Sequence, residues 1–135
     1  MSHRFQLELT SPEKSILNKS VAMVTVPGAS GRYGVLVGHA PMITTLQPGV
    51  VEVYEQDDAT LSDRIFVAGG FAEVTGGRCT LLADEVLPVN KIDRAAVQEE
   101  IKTLTSELDK GGETTPREAL ETRLSIARAK LRAAV

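Results

Sequence analysis

The sequence predicts an α+β protein: a β-sandwich or barrel over residues 1–87, then an antiparallel α-helical hairpin over residues 88–135. Three observations carry this. Before Pro88 apolar residues alternate with polar ones. After it they recur every third or fourth residue. Gly, Pro and Asp clusters punctuate the first part after each short apolar run.

The elements follow in order. Phe5, Leu7 and Leu9 alternate with Gln6, Glu8 and Thr10, as in a strand with one buried face. Residues 21–26 form one β-prone run, closed by Pro27 and Gly28. Residues 28–34 are glycine-rich and read as a wide turn, because no helical pattern follows that could present an N-terminus to phosphate. Pro48 and Gly49 open a strand over residues 50–55, and residues 56–58 turn the chain into another over 64–68. Gly69 and Gly70 break that run; residues 71–74 and 79–83 are the next strands, separated by residues 75–77. Val97, Ile101, Leu104 and Leu108 then share one helix face, and Leu120, Leu124, Ala127, Leu131 and Ala134 repeat the spacing. Gly111 and Gly112 end the first helix. Thr115, Pro116 and Glu118 read as a capping box with proline at the first helical position. Such a hairpin is marginal alone and must dock on something.

Composition limits the function. Trp is absent and aromatics are 4% of residues, so the core is built from Val, Leu, Ile and Ala. A net charge of −3 argues against nucleic-acid binding. The single cysteine, Cys79, cannot form an internal disulfide and sits in an apolar run as a small buried hydrophobe. No stretch approaches the roughly 20 apolar residues that span a bilayer, and residues 1–5 carry no signal-peptide pattern. The expectation is a soluble chain that meets a membrane only through a partner.

Chemistry-bearing constellations are few. His3 and His39 are the two histidines, neither with a metal-ligand neighbour, and His39 reads as a turn residue bonding the backbone or a partner. Asp84 and Glu85 are adjacent near a strand end and point to opposite faces. The last helix carries Arg123, Arg128, Lys130 and Arg132 with no acid after Glu121. Two readings stand: cations favoured at a helix C-terminus, or a basic face meeting an acidic partner.

Residues 34–49, with Gly38-His39-Ala40-Pro41 and Pro48-Gly49 inside them, resemble a segment of the F-type ATP synthase epsilon subunits. Residues 66–74, with Gly69-Gly70 and Glu73-Val74, and residues 82–84 match further segments in the family's order. The resemblance implies a sandwich of about ten strands that binds the gamma subunit and rests on the membrane c-ring, with no catalysis, cofactor or metal of its own. It places Ser30, Gly31, Arg32 and His39 at the ring, although family members often carry an acid where Arg32 stands. It implies a mobile regulatory hairpin whose Arg123, Arg128 and Arg132 meet the catalytic alpha and beta subunits and inhibit ATP hydrolysis. Some members bind ATP through Ile/Leu-Asp-x-x-Arg-Ala; here Ile92 and Asp93 remain, but Ala96 and Val97 stand where Arg and Ala belong. Arg94 is two residues early, roughly 200° around the helix, so weak or no nucleotide binding is expected. The family setting is the cytoplasmic face of a bacterial inner membrane, coupled to proton transport. The rival readings are a free-standing β-sandwich ligand-binding module with a helical dimerisation arm, and a small hydrolase built around His39.

Overall fold

A computed structural model of the chain describes residues 4–111 and 116–134. These residues form ten strands and two α-helices, and the chain divides after Pro88 into two compact units.

The first unit is a sandwich of two five-stranded sheets. Sheet one runs β2 (Ser15–Val21), β1 (Phe5–Thr10), β9 (Arg78–Leu82), β8 (Phe71–Thr75), β5 (Met42–Thr45). Sheet two runs β10 (Glu85–Pro88), β7 (Asp63–Ala68), β6 (Gly49–Tyr54), β3 (Met23–Gly28), β4 (Gly31–Leu36). Neighbours are antiparallel except β1 and β9, which are parallel. The core lies between the sheets. Phe5, Leu7, Leu9, Ala72, Val74, Cys79 and Leu81 come from sheet one; Val24, Val26, Val51, Val53, Ile65 and Val67 come from sheet two. Each buried aliphatic side chain contributes about 2 kcal/mol, so stability is spread over many modest contacts.

Two expectations for the sandwich are corrected. Residues 21–26 are not one strand. A bend at Ala22, whose N–H donates to the Tyr54 carbonyl at 2.8 Å, separates β2 from β3 and carries the chain from one sheet to the other. β2 escapes a hydrophobicity count because Lys19 stands on its inner face between Leu17 and Val21. The ammonium reaches across to Glu55 at 3.1 Å and Asp63 at 3.0 Å on the sheet-two side. Burial pulls the Lys19 pKa down, but hydrogen bonds and charge from Asp63 and Glu55 outweigh it and leave it raised. An inward lysine on an edge strand also discourages further strand addition.

Residues 28–34 are not a wide turn. β3 and β4 pair as far as Gly28 with Gly31, leaving only Ala29 and Ser30 as the loop. Gly31 has φ +125°, and a Cβ on Gly28 would strike the Tyr33 ring.

The second unit begins with a single 3-10 turn, Val89–Lys91, followed by α1 (Arg94–Asp109) and α2 (Arg117–Ala133). The two stripes read from spacing meet: Val97 and Leu104 pack with Leu120, Leu124 and Ala127, flanked by Ile92, Ile101, Leu108 and Leu131. Gly111, at φ +84°, returns its N–H to the Leu108 carbonyl at 3.0 Å and ends α1. Gly112 and Thr115 lie outside the described residues. Pro116 stands at the cap of α2 rather than at its first helical position, and makes no side-chain capping bond. No described helix is long and apolar enough to cross a membrane.

The Gly69–Gly70 turn, at φ +73° and +90°, packs against the end of β9 and the residue after it. A Cβ on Gly70 would meet the Leu82 backbone carbonyl, whereas one on Gly69 would meet only the flexible Asp84 side chain. Gly70→Ala is therefore expected to destabilise the sandwich by about 3 kcal/mol and Gly69→Ala by about 1–2 kcal/mol, measured by urea denaturation. Equal losses would contradict the packing difference.

Candidate functional site

Strand alternation turns one residue in two of sheet one outward. Most are polar, but β5, β8 and β9 place Ile43, Phe71 and Leu82 there, 70%, 41% and 40% exposed. Phe71 is the cross-strand partner of both Leu82 and Thr45, and Ile43, opposite Glu73, lies diagonal to Phe71 on the same face. A hollow of about 250 Å³ lies beside Phe71 and Leu82, which line it together with Thr10, Ser11, Pro12 and Asp84. Exposed apolar residues gathered beside a shallow hollow suit a protein partner.

The four residues expected at the ring do not form one patch. Ser30, Gly31 and Arg32 lie exposed at the β3–β4 turn. His39 follows the far end of β4: Gly31 pairs with Gly28, while Leu36 pairs with Met23. At ~3.3 Å per residue the strand separates the two ends by roughly 17 Å. The His39 N–H donates to the Leu36 carbonyl at 3.1 Å. Its ring Nδ1 lies 2.7 Å from the Ala40 carbonyl, which requires the proton on Nδ1. Arg32 is already engaged: one guanidinium nitrogen donates to Thr25 Oγ1 at 2.7 Å and pairs with Glu52 Oε1 at 3.1 Å. The other Glu52 oxygen lies 3.8 Å from Arg64 Nε. This cross-strand charge row spans β4, β3, β6 and β7 on the outer side of sheet two. Exposed pairs of this kind contribute only ~0.5 kcal/mol each.

Nor do Arg123, Arg128 and Arg132 make one basic face. All three are exposed on α2. Arg128 and Arg132 are one turn apart and share a side. Arg123 lies about 140° and 180° away from them at ~100° per residue. Arg117 and Glu121, paired at 3.1 Å, precede Arg128 and Arg132 on the shared side.

At the start of α1, Asp93 is the N-cap, accepting the Ala96 N–H on Oδ1 at 3.1 Å, and Ile92 packs on the hairpin core. Arg94 turns to α2, where Nη1 donates to the carbonyls of Leu131 at 3.3 Å and Ala134 at 3.2 Å. Among the described residues no group of His, Cys, Asp and Glu is arranged to hold a metal ion.

Residues 4–89 match the family model of the ATP synthase delta/epsilon chain β-sandwich domain. The chain is 49% identical to the ATP synthase epsilon chain of Rhodospirillum centenum, across 97% of its own length and 92% of that relative. It belongs to the ATP synthase delta/epsilon chain family. A second relative, the epsilon chain of Magnetococcus marinus, is 45% identical over 94% of this chain and 91% of its own. A chain in the Euglena gracilis mitochondrial ATP synthase structure (OSCP, F1 and c-ring in one rotational state) superimposes with TM-score 0.86. The identity there is 27%, covering 98% of this chain and 82% of that one. A chain of the Tetrahymena thermophila central stalk and c-ring structure shares the fold at TM-score 0.65 and 17% identity, over 96% of each chain.

Within this family frame, the apolar strip of Ile43, Phe71 and Leu82 is what sequence reasoning missed. The signal was present: Phe71 and Leu82 are large apolar residues in the polar phase of their strands, next to Ala72 and Leu81.

Cys79 is fully buried in the sandwich core, and desolvation pushes its thiol up to about 12. In the native protein at pH 8 it is expected to react with a thiol reagent at least about 100-fold more slowly than in urea. Comparable rates in both conditions would show an open core.

Proposed function

We propose that the chain is a non-catalytic rotor subunit in the central stalk of a proton-translocating F-type ATP synthase. Its place is peripheral, on the cytoplasmic face of a bacterial inner membrane. The sandwich grips the gamma subunit and the c-ring, and the two helices reach the catalytic alpha and beta subunits. The reading is carried by kinship with an ATP synthase epsilon chain over nearly the whole chain.

The physical logic is mechanical. A part that transmits torque must not shear, and two sheets locked by a continuous apolar core resist shear. It must also hold its neighbours by surfaces facing different ways. The exposed strip of Ile43, Phe71 and Leu82 supports a contact with gamma, since burying large apolar side chains gives a durable grip. The tip of Ser30, Gly31 and Arg32 is proposed to face the ring, and His39, beyond the opposite end of β4, is proposed as a separate ring contact. On α2 the side bearing Arg128 and Arg132 is proposed to meet acidic surface of the catalytic subunits and to slow ATP hydrolysis. Asp93 and Arg94 are committed to helix ends, which supports the absence of nucleotide binding.

Ile43→Asp is expected to weaken binding to gamma at least about tenfold by calorimetry, because a carboxylate would be buried in an apolar contact. Unchanged affinity would remove this face from the interface. In the reconstituted complex, replacing Arg128 and Arg132 by Ala is expected to raise ATP hydrolysis about threefold, with Arg123→Ala smaller in effect. Equal effects from both variants, or none, would refute the shared-face contact.

A further inference from the structure

We propose that Arg94 is a latch that holds the open end of the helical hairpin shut. It is the first residue of α1, and its guanidinium donates to Leu131 and Ala134 at the last turn of α2, 37 and 40 residues away. At the other end of the hairpin, a short connection already keeps α1 and α2 together. At the open end Ile92 and Leu131 are only partly buried, while Val97, Ala133 and Ala134 are buried, and the Arg94 contact adds a directed bond to that packing.

The chemistry suits the task. The last carbonyls of a helix lack intrahelical donors and carry the negative end of the helix dipole. A guanidinium is a permanent cation with several donors, and here one nitrogen serves two carbonyls. Asp93 caps α1 through the Ala96 N–H, so two consecutive residues terminate two different helices. Separation of α2 from α1, or fraying of its last turn, strips both carbonyls of their donor. The latch thus couples order at the α2 C-terminus to contact with α1. It sets how readily α2 is released, whatever partner then receives it.

The test is hydrogen exchange on the full chain, read at the Ala134 amide, which donates to the Lys130 carbonyl at 2.9 Å, and at the Ala96 amide. Arg94→Met keeps side-chain length and helix propensity but removes the donors; Arg94→Lys keeps a cation with donors. Arg94→Met is expected to speed Ala134 exchange about tenfold, equivalent to about 1.4 kcal/mol, with Ala96 changed far less. Arg94→Lys is expected to restore most of the protection. If Arg94→Met melts the whole hairpin while Arg94→Lys does not, the latch is supported more strongly. Unchanged Ala134 exchange in Arg94→Met overturns the proposal, and so does an Arg94→Lys variant that exchanges as fast as Arg94→Met.

Discussion

The contact between the inner faces of the two sheets is the constraint on which the first unit depends. Leu7, Leu9, Leu81, Val24, Val26, Val51 and Val53 are all fully buried there. Without Trp, and with few aromatics, no single residue dominates. Interdigitated small aliphatics give a dense, stiff slab instead, which suits the mechanical role proposed above. Because the alternation commits half of each strand to the core, the other half is free to carry partner surfaces. The apolar strip on sheet one and the charge row on sheet two are consequences of that division.

The helical unit obeys a different economy. Its core is a narrow double stripe, and much of its definition comes from the helix ends: Asp93 on α1, Gly111 after it, and Arg94 reaching α2. Directed hydrogen bonds at termini are individually modest, yet they decide whether a short helix pair is closed. Broad apolar packing defines one unit, and end-capping adds much of the definition of the other.

Much of this was legible in the sequence, and the misses have physical causes. The period-2 pattern of β1 and the helical stripes were readable because each repeats one buried face without interruption. β2 was not, since Lys19 occupies an inner position by virtue of Glu55 and Asp63, 36 and 44 residues distant. β4 and β5 are edge strands; β5 has only four residues, and the glycines of β4 resemble loop sequence. The Arg94 contact links residues with no local signature. The basic residues of α2 are visible in the sequence, and counting them around the helix divides them between two sides, Arg123 on one and Arg128 with Arg132 on the other. The strand that separates Arg32 from His39 falls largely in the stretch read as a glycine-rich turn, so their spacing was not visible in the sequence.

The central claim is that the chain acts by gripping a shaft and performs no reaction itself. The most direct measurement mixes the intact chain with the gamma subunit and determines stoichiometry by sedimentation, while assaying the chain alone for ATP hydrolysis. The account predicts a stable 1:1 complex and no turnover. A chain that sediments as a monomer in the presence of gamma, or that hydrolyses ATP unaided, would contradict it.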